Sequence, residues 1–196
     1  MKFFLRLKHW QLFLLQFAIP FCFYIILTFT FIFTRNFTIM FSVFPFLMLV
    51  VLFFLHGWIF TSVVNLHRKL PETSSLRLNR FKFFFFFPLV YILALFSLMG
   101  IVFSGDLRVF ELLPAGAVLL IILIHLFAIF CNFYCLYFFA KSLKSVELQR
   151  EARFNDYAAE FFLLWFTFVG IWIIQPRINK IFDPSAAAVN HAELGQ

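Results

Sequence analysis

Four long apolar runs alternate with short polar clusters along this chain. They cover residues 11–34, 40–64, 83–103 and 115–140. Each exceeds the roughly 18 residues that mark a helix able to cross a bilayer. A fifth and shorter apolar stretch lies at about 157–175, with its uninterrupted part at 161–174. That length suits either a re-entrant helix or a thin span, and Gly170 offers a point at which it breaks into a hairpin. Between the fourth and fifth runs, Leu143, Val146, Leu148 and Ala152 recur at helical spacing, opposite Lys144, Glu147, Arg150 and Glu151. That pattern predicts an amphipathic helix extending the fourth span. Asn155 and Asp156 then read as an N-cap, with Glu160 in the first turn of the next helix. The segment 183–196 has no periodicity and reads as a mobile tail. The pattern predicts an all-α integral membrane helical bundle within residues 1–182, with four spanning helices plus the short fifth element.

Composition supports lipid as the solvent. Of 196 residues, 64% are hydrophobic and 13% charged, against about 45–50% and about 25% in soluble domains. Mean hydropathy is +0.97. The net charge of +7 sits in clusters between apolar runs and forms no basic face, which argues against nucleic acid as a partner. Phenylalanine, at 36 residues, reads as a compositional bias that lipid tolerates. The first apolar run is too long for a signal-peptide core and lacks a small-residue cleavage site after it, so it reads as a retained span. Pro20 lies inside it and predicts a kink.

The basic residues set the topology. Lys2, Arg6 and Lys8 precede the first run; Arg68, Lys69, Arg77, Arg80 and Lys82 follow the second; Lys141, Lys144, Arg150 and Arg153 follow the fourth. The two opposite loops hold Arg35 and Arg108 alone. Twelve against two places the N-terminus in the cytoplasm of a cell (inner or plasma) membrane protein.

Ionisable and polar groups within or beside apolar runs are the candidate functional residues. Glu160 and Asp156 lie one turn apart, where a carboxylate binds a cation, relays protons, or simply starts a helix. Gln175, Arg177 and Asn179 close the fifth apolar stretch and suit a binding site or an interfacial stop. His56 and His125 sit in the second and fourth runs at depths differing by roughly 6 Å. They are the only pair offered for a bis-histidine haem, against the plainer reading of neutral imidazoles bonding across helices. Cys22, Cys131 and Cys135 form no disulfide framework or ligand spacing and read as small apolar residues in packed helices. No phosphate loop, zinc-protease or nucleophile-elbow motif occurs, so no enzymatic activity, metal or cofactor is expected.

The segments Lys144-Ser-Val-Glu-Leu-Gln-Arg, Asn155-Asp-Tyr, Glu160-Phe-Phe-Leu-Leu-Trp-Phe, Gly170-Ile-Trp and Gln175-Pro-Arg-Ile-Asn together resemble a block found in an uncharacterised family of small bacterial polytopic membrane proteins. The resemblance covers about 40 residues and implies no activity. The resemblance implies a proline near Phe168–Val169 in relatives, and this sequence has none there. Polar residues concentrate at 65–82 and 141–160, which favours an accessory or assembly protein acting through a membrane partner. A small oligomeric transporter or channel is the alternative from another class, and a b-type haem protein the third.

Overall fold

The computed structural model describes residues 3–35, 37–103 and 115–183. Every element among these residues is helical. Two short N-terminal helices, α1 (Phe3–Arg6) and α2 (His9–Phe13), lead through a π-helical turn (Leu14–Ala18) into α3 (Ile19–Thr34). Then come α4 (Phe37–His67), α5 (Leu78–Phe103), α6 (Ala115–Leu148), α7 (Phe154–Trp165) and α8 (Thr167–Phe182). Four continuous helical stretches are long and apolar enough to cross a membrane: His9–Thr34, Val43–His67, Leu78–Leu98 and Gly116–Leu148. The protein is therefore a multi-pass helical membrane protein. The loop at 104–114 and the predicted mobile tail beyond Asp183 lie outside the described residues.

Pro20 acts differently from a simple kink. It has no N–H to give the Gln16 carbonyl, and its ring crowds that carbonyl. The turn just before it widens, and Ile19 N–H bonds the Leu14 carbonyl five residues back. The helix axis continues with one extra residue inserted. Past this point the hydroxyls of Thr28, Thr30 and Thr34 bond carbonyls four residues back, at 2.8–2.9 Å. In hydrocarbon such back-bonding satisfies a polar group without water.

The described residues form two compact units. The first comprises residues 1–74 and 139–196, and the second residues 75–138. In the first unit, packing is concentrated at one end of the spans. Trp58, Ile59, Val63 and Leu66 of α4, and Phe139, Leu143 and Val146 of α6, are buried. Trp58 meets Phe139 edge to face at 5.4 Å. Toward the other end of the first span, Phe21, Phe23, Phe29 and Phe33 are exposed. Helix α4 has 31 residues and α6 has 34, about 46 and 51 Å long. Both exceed the ~30 Å hydrocarbon core. In the second unit, Phe81 meets Phe138 at 5.0 Å in a tilted contact and Phe84 meets Tyr134 at 4.3 Å. The phenylalanine run thus supplies packing where it faces α6 and leaves Phe83 and Phe86 exposed.

The predicted fifth element is two helices. The chain reverses at Phe166 (φ −86°, ψ 59°), so α7 and α8 pack as a hairpin. Gly170 allows the arms to close and is not where the chain breaks. A Cβ there would overlap the Leu163 carbonyl oxygen. Cys22 is exposed, unlike the buried Cys131 and Cys135, so it is not a packed residue of the helix interfaces as its sequence setting suggests.

Candidate functional site

Helix α6 ends in a left-handed cap at Gln149 (φ 52°), whose side-chain amide donates to the Val146 carbonyl at 2.7 Å. The cap turns the chain back toward α6, and Ala152 N–H bonds Ser145 Oγ at 3.0 Å. The N-cap of α7 is Arg153, two residues before the expected Asn155. Asp156 is the third helical residue and reaches back: its Oδ2 accepts the Arg153 N–H at 2.9 Å. It acts as the acidic half of a capping box. Arg150 clamps the same carboxylate with two bonds, at 2.9 and 3.1 Å. The Arg150 bonds and the Arg153 N–H hold the Asp156 carboxyl below its ordinary value. Arg150, Glu151, Arg153, Asn155 and Asp156 line an open hollow of about 560 Å³.

One turn into α7, Glu160 is buried at 5% exposure. Its Oε1 accepts from Lys144 Nζ of α6 at 3.2 Å and from Arg177 Nη2 of α8 at 2.8 Å. Arg177 also forks onto Glu147 of α6, with Nε at 2.7 Å from Oε1. Lys144 Nζ stands 3.6 Å from the same Glu147 carboxylate. Two cations and two anions thus join three helices. Burial pushes the Glu160 carboxyl up, but the bonds from Arg177 and Lys144 outweigh it and leave it below its ordinary 4.5. Arg177 is raised, chiefly by the bond to Glu147. Glu160 Oε2 is buried and has no hydrogen-bond partner among the described residues. Nearby, Lys141 pairs with Glu151 at 2.7 Å.

A second polar cluster lies one helical step away. Gln175 is fully buried. Its Oε1 accepts the Trp58 indole N–H at 2.8 Å. Its Nε2 lies within reach of three acceptors: the Phe4 carbonyl at 3.0 Å, the Leu7 carbonyl at 2.7 Å and Asn179 Oδ1 at 2.8 Å. An amide nitrogen has two hydrogens, so one bond is shared. Asn179 Nδ2 donates to the Leu7 carbonyl at 3.0 Å. Phe4 and Leu7 lie where α1 ends and the chain opens before α2, so their carbonyls lack helical partners. Lys69 further ties α8 to the end of α4, bonding the Ile181 carbonyl at 2.7 Å and lying over the Phe182 ring.

Of the candidates read from sequence, Glu160 and Arg177 are directly paired, as are Gln175 and Asn179. Asp156 serves a separate ion pair with Arg150. His56 belongs to the first unit, where its Nδ1 lies 3.1 Å from the Leu52 carbonyl. His125 belongs to the second, where its Nδ1 lies 3.1 Å from the Tyr91 hydroxyl. Among the described residues no group of three or more His, Cys, Asp or Glu side chains converges as a metal site. Glu147, Lys144 and Trp58 were not among the sequence candidates. The first two show a signal, opposite charges three apart beyond a span, but Trp58 shows none in an apolar run.

No family model, no curated protein and no solved structure matches this chain.

Proposed function

We propose that this is a non-enzymatic accessory or assembly protein of the cell membrane, oriented with its N-terminus in the cytoplasm and acting through a membrane-protein partner. The observation that carries this reading is the mutual pairing of its conspicuous charged and amide side chains. Glu160, Arg177, Lys144 and Glu147 neutralise one another, as do Asp156 and Arg150. Gln175 and Asn179 bond Trp58 and the N-terminal carbonyls. These groups hold elements together, and an assembly role asks for nothing more of them. The exposed apolar flank of α3 suits contact with lipid or with the helices of a partner.

The test is purification of the tagged protein from its native membrane in mild detergent, followed by mass spectrometry. A stoichiometric membrane protein is the expected companion. A homo-oligomer alone would overturn the reading and favour a small transporter or channel. One observation favours that alternative: the buried Glu160 Oε2 is a vacant acceptor for a cation or proton. Glu160→Gln separates the two, because an accessory protein would show no ion flux in liposomes with or without the change.

A further inference from the structure

We propose that the α7–α8 hairpin is a re-entrant wedge, which enters the bilayer from the side of its ion-paired base, seats its aromatic tip among the acyl chains of that one leaflet, and returns. Its alignment with the first span comes first. Leu7 meets Gln175 and Asn179; His9 meets Trp172; Phe13 meets Trp172 and Phe168; Phe17 meets Phe168. Numbers rise on one element as they fall on the other, so α8 runs antiparallel alongside the start of the span and does not lie across it. From His9, where the spanning stretch begins, to Phe17 is about 12 Å along the helix. From Glu160 at the ion-paired base to Phe166 at the turn is about 9 Å. A leaflet contributes about 15 Å of hydrocarbon, so the tip enters it and stops short of the midplane.

The chemistry of the tip fits the same depth. Phe162, Trp165, Phe166, Phe168 and Val169 are all about half exposed or more, at 49–64%. Phe162, Trp165 and Phe166 present near-parallel rings, 10° and 12° apart. The turn bonds several of its own polar groups. Phe166 N–H bonds the Phe162 carbonyl, and Val169 and Gly170 N–H bond the Phe166 carbonyl, all at 2.9 Å. Thr167 Oγ1 donates to the Leu164 carbonyl at 2.7 Å. Non-helical backbone enters hydrocarbon only when its polar groups are satisfied in this way. Below the tip, the charges of Glu160, Arg177, Lys144 and Glu147 mark where the polar region resumes.

The test uses the full chain in liposomes with Cys22→Ser, Cys131→Ala and Cys135→Ala, and one nitroxide at Phe166→Cys. A second protein carries the label at Phe162→Cys, in case the first variant fails to fold. The expected result is high collision with oxygen and low collision with a water-soluble nickel chelate, by at least several-fold. An impermeant maleimide should leave both Lys2→Cys and Ala187→Cys unlabelled in sealed cells and label both after permeabilisation. Nickel access at the tip would put it in water and overturn the wedge. Low access to both probes would put it against protein, a partner or a second copy, and overturn it equally. Labelling of the two cysteines from opposite sides would make the segment a crossing helix.

Discussion

Gly170 faces the Leu163 backbone with no room for a side chain. A backbone carbonyl cannot swing aside as a flexible side chain does, so Gly170→Ala should force the hairpin arms apart. The expected loss is about 3 kcal/mol, at the upper end for overpacking, read as a lower thermal midpoint in detergent. Glu160→Gln should cost less. Its partners Arg177 and Lys144 have side-chain exposures of 26% and 25%, and both retain Glu147. About 1–2 kcal/mol is expected, below the ~3–5 typical when one partner of a fully buried pair is removed. The pH dependence has a definite sign. Glu160 titrates below its ordinary 4.5 in the folded protein. Its contribution is therefore complete above pH 4.5 and fades as pH falls below that through the folded value. Thermal melts across that window should show the decline in the natural protein and a flatter profile in Glu160→Gln.

Among the elements, α8 depends on partners at both ends of the chain. Gln175→Leu would fill similar space but leave the Trp58 indole and the Phe4 carbonyl without these bonds, the Leu7 carbonyl keeping its bond from Asn179. Each buried group left unpaired costs about 1–3 kcal/mol, so this change should rank among the most damaging in the protein. Amide hydrogen exchange should show α1, α2 and α8 losing protection together. The hairpin itself was only half legible. The fifth apolar stretch and its re-entrant option can be read from the pattern, whereas the reversal at Phe166 and the close-packing role of Gly170 cannot. Phenylalanine carries no turn signal, and the break is imposed by packing of α7 on α8 and of α8 on the first span. Asp156 shows a similar limit: an acid near a helix start is visible, but its position as third residue depends on where the preceding αL turn at Gln149 releases the chain.

At the scale of the whole molecule, the spans were legible because hydrocarbon imposes length and composition on every helix that crosses it. Which ends of those helices pack was not, since buried and lipid-facing phenylalanines look alike in a sequence. The ion-paired cluster was legible only in parts, because Lys144, Glu160 and Arg177 come from three helices and meet through the hairpin. The topology gives a direct prediction. A reporter fused before Met1 should be accessible only after permeabilisation, and neutralising Lys2, Arg6 and Lys8 together should weaken that bias.

The bonds from Gln175 and Asn179 to Phe4 and Leu7 join residues separated by 168–172 positions. During synthesis, the first of these residues leave the ribosome long before the last exist. The N-terminal carbonyls must wait through the making of all four spans before their donors exist. Closing so long a loop is slow relative to local helix formation. Completion of the chain is thus what seals the fold, and a nascent protein stopped short of Gln175 carries an open end that a finished one does not.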